Sequence, residues 1–252
     1  MGRVQDKVAL VTGGASGVGL ETVQLLLREG AFVAISDINA EAGERLAAEC
    51  GERAIFVRHD VASEDDWTAA IGATQQRLGP LDILINNAGI LIPGSIATAT
   101  LAEYRRVMQV NADSCFLGCQ QGVAAMKGRG GSIVNMASVS SWLPVEGYAA
   151  YSASKAAVAA LTRATALHCR KSGHAIRVNS LHPDGIYTPM MQATAPGVPA
   201  ERLLFEPTTN PRGRACLPEK IAQVLLFLAS DESQAISGAE IRADSAILGM
   251  GL

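Results

Sequence analysis

The chain has 252 residues, of which 48% are hydrophobic and 4% aromatic, and a formal net charge of -3. That length fits one α/β domain with a large core, residues 1–252. The mild charge, without blocks of one sign, argues against a nucleic-acid partner, and no run reaches the ~18 uninterrupted apolar residues of a membrane span.

Strand and helix patterns alternate from the start. Val8–Val11 is a short apolar run that ends in Thr12-Gly13-Gly14. Helical spacing runs from Val18 through Val23, Leu26 and Leu27, and Gly30 is its natural stop. Phe32–Ile35 predicts a second strand and Ala40–Cys50 a polar helix. Ala54–Val57 and Glu64–Leu78 repeat the pair, and Ile83–Ile85 is a fourth strand. Leu101–Gln120 predicts one long helix, Ser132–Asn135 a fifth strand and Ala150–Arg170 another long helix. Ile176–Asn179 is a sixth strand. The repeated prolines between Pro189 and Pro211 predict a loop; Pro218–Ala229 is helical again and Glu240–Arg242 closes with a strand. Alternating β and α units predict a Rossmann-like, doubly wound parallel sheet of about seven strands with helices on both faces. In such folds ligands sit at the carboxyl ends of the strands, so the chemistry belongs in the loops after them.

The first such loop, Thr12 to Gly19, carries Gly13, Gly14, Gly17 and Gly19 between a strand and a helix. Glycines there let the backbone approach a pyrophosphate at the helix amino terminus, which predicts a dinucleotide. Asp37 ends the second strand, 18 residues after Gly19. Its carboxylate can accept from a ribose 2'-hydroxyl and repels a 2'-phosphate. Neither Ser16 nor Ile38 offers a cation to welcome that phosphate, so the expected cofactor is NAD rather than NADP. The plainer reading of Asp37 is a turn residue at a strand end.

Tyr151 and Lys155 are four residues apart and so share one face of a helix. An ammonium beside a phenol favours the phenolate and lowers its pKa, and such a pair can exchange a proton with an alcohol or a ketone. Alone, the spacing more often marks a surface Tyr and Lys on an amphipathic helix, so the rest of the chain must decide.

Taken together, Thr12-Gly-x-x-x-Gly-x-Gly19, Asp60-Val61, Asn86-Asn-Ala-Gly89, Asn111, Ser138, Tyr151-x-x-x-Lys155 and Pro183 to Thr188 resemble the short-chain dehydrogenase/reductase family in order and spacing over essentially the whole chain. Asn135 to Pro144, His182 to Met191 and Ile247 to Leu252 are similar to its bacterial NAD-dependent hydroxysteroid branch, acting on 3β- and 17β-hydroxysteroids. The resemblance implies Tyr151 as general acid/base and Ser138 as hydrogen-bond partner of the reacting oxygen. Lys155 is implied to lower the Tyr151 pKa and bind the nicotinamide ribose, with Asn111 holding a water relay to it. It also implies a cofactor site built from Gly13, Ser16, Gly17, Val18, Gly19, Asp37, Asp60, Val61, Asn87, Ala88, Gly89, Pro183, Gly185, Ile186 and Thr188 with Tyr151 and Lys155. Asp60 falls to the adenine amino group, Asn87 and Gly89 to the adenosine ribose and Thr188 to the carboxamide. A homotetramer paired through the Leu101 and Tyr151 helices is implied too, although alanines along the latter also suit packing within the chain.

Two positions depart from the family pattern. Asp184 stands where glycine usually follows Pro183, placing a carboxylate on the nicotinamide side, and Asp244-Ser245-Ala246 replaces the usual Asp-Gly-Gly. Cys115 and Cys119 have a spacing that could ligate metal, but no further ligand matches, so no metal is expected. The five cysteines (Cys50, Cys115, Cys119, Cys169 and Cys216) show no CxxC and read as reduced thiols. The amino terminus lacks the apolar region of a signal peptide, which together with the thiols predicts a cytoplasmic protein. His59, His168, His174 and His182 are scattered; Ser138 has no evident Asp/His partner, so a hydrolase triad is not expected.

Trp142, Leu143, Pro144, Ile186, Met190 and Met191 predict an apolar substrate wall, with the loop at 186–213 closing over a small molecule. The expected reaction is NAD-dependent interconversion of a secondary alcohol and a ketone, with a hydroxysteroid as the leading substrate and a non-steroid alicyclic or aryl alcohol as the alternative. A catalytically idle NAD-binding sensor is the reading from another class; the complete set Asn111, Ser138, Tyr151 and Lys155 argues against it.

Overall fold

The computed structural model describes residues 2–247. The end of the Ile247–Leu252 stretch quoted above, residues 248–252, lies outside the described residues. In chain order the elements are β1 (Val8–Thr12), α1 (Gly17–Arg28), β2 (Phe32–Asp37), α2 (Ala40–Cys50), β3 (Ala54–Arg58), α3 (Glu64–Leu78), β4 (Ile83–Asn86) and α4 (Leu101–Met108). After a π-turn over Gln109–Asp113 come α5 (Ser114–Met126), β5 (Gly131–Met136), α6 (Ala149–Lys171), β6 (Ile176–Pro183) and β7 (Gly185–Ile186). The chain continues through α7 (Pro189–Thr194), α8 (Ala200–Leu203), β8 (Ala215–Cys216), α9 (Pro218–Ala229) and β9 (Glu240–Ala243).

Seven parallel strands form one sheet in the order β3-β2-β1-β4-β5-β6-β9. Strand order reverses between β1 and β4, which opens the crevice where such folds bind nucleotides. The central strands are buried on both faces, so each reads as a continuous apolar run, and its residues divide between two cores with a period of two. Ala9, Val11, Val33, Ile35, Ile83 and Ile85 face one core, under α1 and α9. Leu10, Ala34 and Leu84 face the other, with Trp67, Ile71, Cys115, Cys119 and Val158 from α3, α5 and α6. Side-chain caps begin two of these helices: Ser63 accepts from the Asp66 amide, and Thr100 and Glu103 form a capping box.

Two expectations are corrected. The single helix expected over Leu101–Gln120 is interrupted by the π-turn at Gln109–Asp113, which carries Asn111. The loop expected from Pro189 to Pro211 contains α7 and α8. Pro189 starts α7 rather than breaking structure, because its missing N–H is harmless at the first helical position and Thr188 caps the turn. The β7–β8 ribbon brackets this segment.

Candidate active site

The turn after β1 is built by glycines and fastened from below. Gly13 and Gly17 have φ of 63° and 51°, in the left-handed region that favours glycine. A Cβ on Gly19 would run into the Gly13 carbonyl oxygen, so α1 can start this close to the strand only with glycine there. Thr12 Oγ1 accepts from the Asn87 and Ala88 amides at 3.0 Å each, and Asn87 Nδ2 donates to the Thr12 carbonyl at 2.9 Å. The end of β4 thus holds the glycine turn in place. Asp37, half-buried at the end of β2, accepts from the Ala15 amide at 3.1 Å and the Asn39 amide at 3.0 Å. Asp60 accepts from the Ala62 amide at 3.0 Å, which shapes the turn into α3.

A cavity of about 330 Å³ opens at the carboxyl ends of the strands. Gly13, Ser16, Gly17, Val18, Asn87, Ala88 and Gly89 line one end of it. Ser138, Tyr151, Lys155, Pro183, Gly185, Ile186 and Thr188 line the other, with Met190 and Met191 from α7. Asp37, Asp60 and Val61 stand outside this lining, as does Trp142. Leu91, Val145, Tyr148 and Thr194 belong to the wall and carry no motif that marks them in the sequence. A larger groove of about 640 Å³ lies at the opposite ends of β4, β5 and β6. Its Arg177 is spent on the carbonyls of Leu228 and Ser230, and none of the expected acid–base groups reaches it.

At the far end of the first cavity, β5 delivers Ser138 and α6 delivers Tyr151 and Lys155. Both side chains line the cavity, and Ser138 favours the ionised form of the Tyr151 phenol. Lys155 is buried, donates to the Met136 carbonyl at 2.7 Å, and lies 5.6 Å from the centre of the Tyr151 ring. Burial pushes the ammonium down to about 8. Burial, the largest influence on the Tyr151 phenol within the polypeptide, raises it above its ordinary value of 10.0, and Ser138 opposes that shift. Asn111 Oδ1 accepts from the Ile90 amide at 2.8 Å, and its Nδ2 donates to the Ile90 carbonyl at 2.9 Å and to Ser154 Oγ at 3.0 Å. Ser154 in turn donates to the Tyr151 carbonyl at 2.7 Å. The π-turn therefore aims Asn111 at the backbone that carries Tyr151, a use of π-turns that recurs at functional sites.

Asp184, the departure from glycine, has a partner: its carboxylate takes a two-pronged bond from Arg214 at 2.9 and 2.8 Å. This ties the end of β6 to the far end of the 186–213 segment. Ser245 and Ala246, at the other departure, keep left-handed φ values of 47° and 67°, so the tight turn survives without glycine. Cys115 and Cys119 are buried, and among the described residues no three His, Cys, Asp or Glu side chains are grouped to hold a metal.

Two histidines are buried without charge. His59 bonds Ser36 Oγ at 2.7 Å and His182 bonds Ser180 Oγ at 2.8 Å; burial pushes both down to about 4. Between pH 6.5 and 4 an unfolded chain takes up two protons that the folded one refuses, so stability is full above 6.5 and lost as pH falls. The expected loss is on the order of 2–3 kcal/mol per pH unit in that window. Urea midpoints measured across it check this; a flat profile would count against the burial of both rings as neutral species.

A family model described as enoyl-(acyl carrier protein) reductase matches residues 13–246. The chain belongs to the short-chain dehydrogenase/reductase family. It is 67% identical to a 3-beta-hydroxysteroid dehydrogenase of Comamonas testosteroni over 99% of both chains. It is 42% identical to a cyclopentanol dehydrogenase of a Comamonas species, over 97% of this chain and 98% of that one. An NADP-dependent (R)-specific alcohol dehydrogenase of Lentilactobacillus kefiri is 37% identical over 96% of both. The protein is thus an oxidoreductase of the secondary alcohol/ketone type that works with a nicotinamide cofactor. The glycine turn fits that cofactor, since it brings Gly13, Ser16, Gly17 and Val18 to the wall of the cavity at the amino terminus of α1. Among the described residues no helix is long and apolar enough to cross a membrane.

Proposed function

We propose that this short-chain dehydrogenase/reductase is an NAD-dependent hydroxysteroid dehydrogenase that interconverts 3β- or 17β-hydroxysteroids and their ketones. The observation that carries the reading is the corner where Ser138 and Tyr151 meet beside an apolar wall of Leu91, Val145, Ile186, Met190 and Met191. A wall with two methionines adapts to a bulky, rigid, apolar ligand. The near full-length likeness to a 3-beta-hydroxysteroid dehydrogenase supports the same substrate class.

The cofactor supplies or accepts the hydride at the carbinol carbon. Gly13, Ser16, Gly17, Val18 and Gly19 would hold its pyrophosphate. Asp37, Asp60, Val61, Asn87, Ala88 and Gly89 would hold the adenosine side, and Lys155, Pro183, Gly185, Ile186 and Thr188 the nicotinamide side. Tyr151 gives a proton to the ketone oxygen or takes one from the alcohol. Ser138 donates a hydrogen bond to the same oxygen, and Asn111 keeps the Tyr151 backbone in register through Ser154. Ser138, Tyr151, Met190 and Met191, with Trp142 at the rim, form the substrate side, and the 186–213 segment covers it.

One domain spans the chain, and the free thiols of Cys50, Cys115, Cys119, Cys169 and Cys216 suit a cytoplasmic enzyme. Exposed Leu101, Tyr104, Phe116 and Leu167 on α4, α5 and α6 suit subunit pairing in a homotetramer.

The test is kcat/KM with NAD for 3β- and 17β-hydroxysteroids against cyclopentanol and aryl carbinols. Steroids should lead by at least tenfold. A lead for cyclopentanol shifts the substrate to small cyclic alcohols, as the cyclopentanol dehydrogenase relative suggests. No turnover of any alcohol overturns the enzymatic reading.

A further inference from the structure

His182, the penultimate residue of β6, is fully buried, yet its ring is surrounded by hydrogen-bonding groups. Nδ1 lies 3.1 Å from the Ser138 carbonyl oxygen and 2.9 Å from Ser141 Oγ, and Nε2 lies 2.8 Å from Ser180 Oγ. The Trp142 ring stacks on it, with centroids 4.1 Å apart and planes 15° apart. These contacts fix the tautomer. A carbonyl oxygen only accepts, and Ser141 Oγ already spends its proton on the Ser138 carbonyl at 2.7 Å. Both neighbours of Nδ1 therefore need a donor, so Nδ1 carries the hydrogen. Nε2 is then the acceptor of the Ser180 hydroxyl. Glu240, at 3.8 Å from Nε2, is beyond hydrogen-bond range and is paired with Arg163.

One ring thus grips both ends of the turn that Ser138 opens. It holds the Ser138 carbonyl by a hydrogen bond and Trp142, just past the turn, by stacking. Inside the turn Ser138 Oγ accepts from the Ser140 amide at 3.1 Å. We propose that His182, as its neutral Nδ1–H tautomer, is a positioning residue that sets where the Ser138 hydroxyl stands relative to Tyr151. This rests on the reading of Ser138 as the partner of the reacting oxygen. His182 does not touch the Ser138 hydroxyl: its contact is with the main-chain carbonyl, so it acts through geometry and not as a base.

The Nδ2 of an asparagine can occupy the place of the imidazole Nδ1, whereas the amide of glutamine reaches toward Nε2. His182→Asn should keep most of kcat, while His182→Leu and His182→Gln should lose it on the order of 10²-fold, the cost of displacing a reacting group by about 1 Å. The dissociation constant for NADH should be unchanged in all three, which separates positioning from a general loss of fold. In the native enzyme, long-range nitrogen–proton NMR of the ring should show the neutral Nδ1–H tautomer. Equal kcat in the Leu, Gln and Asn variants, or an Nε2–H signature, overturns the proposal. Ser138→Ala distinguishes the two layers. If it loses turnover while His182→Leu does not, only the positioning role fails; if it keeps turnover, the role of Ser138 itself fails.

Discussion

Tyr151→Phe should lower turnover on the order of 10³- to 10⁴-fold while leaving the dissociation constant for NADH unchanged. The ring stays, so the packing of α6 stays; only the proton leaves. No neighbour can replace it. The Lys155 ammonium is buried and committed to the Met136 carbonyl, and Ser138 has no base to take up a proton, because His182 meets its carbonyl rather than its hydroxyl. The pH dependence has a definite sign. Oxidation of an alcohol needs the phenolate, so its rate should climb as pH rises, on a limb placed in the alkaline range by a phenol held above its ordinary value. Near pH 8 Lys155 begins to lose its charge, and with it the phenolate's neighbouring cation, so the climb should flatten. Reduction needs the phenol and should hold through neutral pH before falling. Initial rates in both directions across this range check the assignment. A Phe variant with native turnover would refute it.

The same residues show how far a sequence carries. The parallel sheet was legible because its central strands are apolar throughout and the intervening helices keep their own period, and the structure joins seven strands in one sheet. The glycine turn and the Tyr151/Lys155 face were legible because each needs only local geometry. The π-turn was not: inserting one residue into Gln109–Asp113 leaves the apolar spacing nearly unaltered, while re-aiming the side chain of Asn111. Pro189 read as a breaker because a proline carries no mark of whether it ends one element or begins the next. The contacts that hold the site together were the least legible. Thr12 meets Asn87 across 75 residues and His182 meets Ser138 across 44, and only the crossover of strands brings them side by side. The carboxylate of Asp184 looked anomalous until Arg214, 30 residues on, supplied its partner.

Asp37→Asn should collapse the cofactor preference. The native enzyme is expected to use NAD over NADP by about 10²-fold or more in kcat/KM. A carboxylate and a 2'-phosphate at contact range in a partly solvated site repel by roughly 3 kcal/mol, which is about that factor. The residue is also part of the architecture, since its two oxygens fasten the Ala15 and Asn39 amides. Asparagine keeps one acceptor and the shape, so it isolates charge from geometry better than alanine does. Neutralising the carboxylate removes that repulsion and leaves Arg58, its register partner on β3, as a charged neighbour. NADP should therefore gain while NAD loses a charge-assisted hydrogen bond, on the order of tenfold for a bond of this kind. Membership of the family leaves this choice to the residue at the end of β2, since one relative in it is an NADP-dependent alcohol dehydrogenase. The ratio of kcat/KM for the two cofactors, native against Asp37→Asn, decides it. A native preference for NADP, or a ratio that does not move when the carboxylate is neutralised, sinks the argument from Asp37.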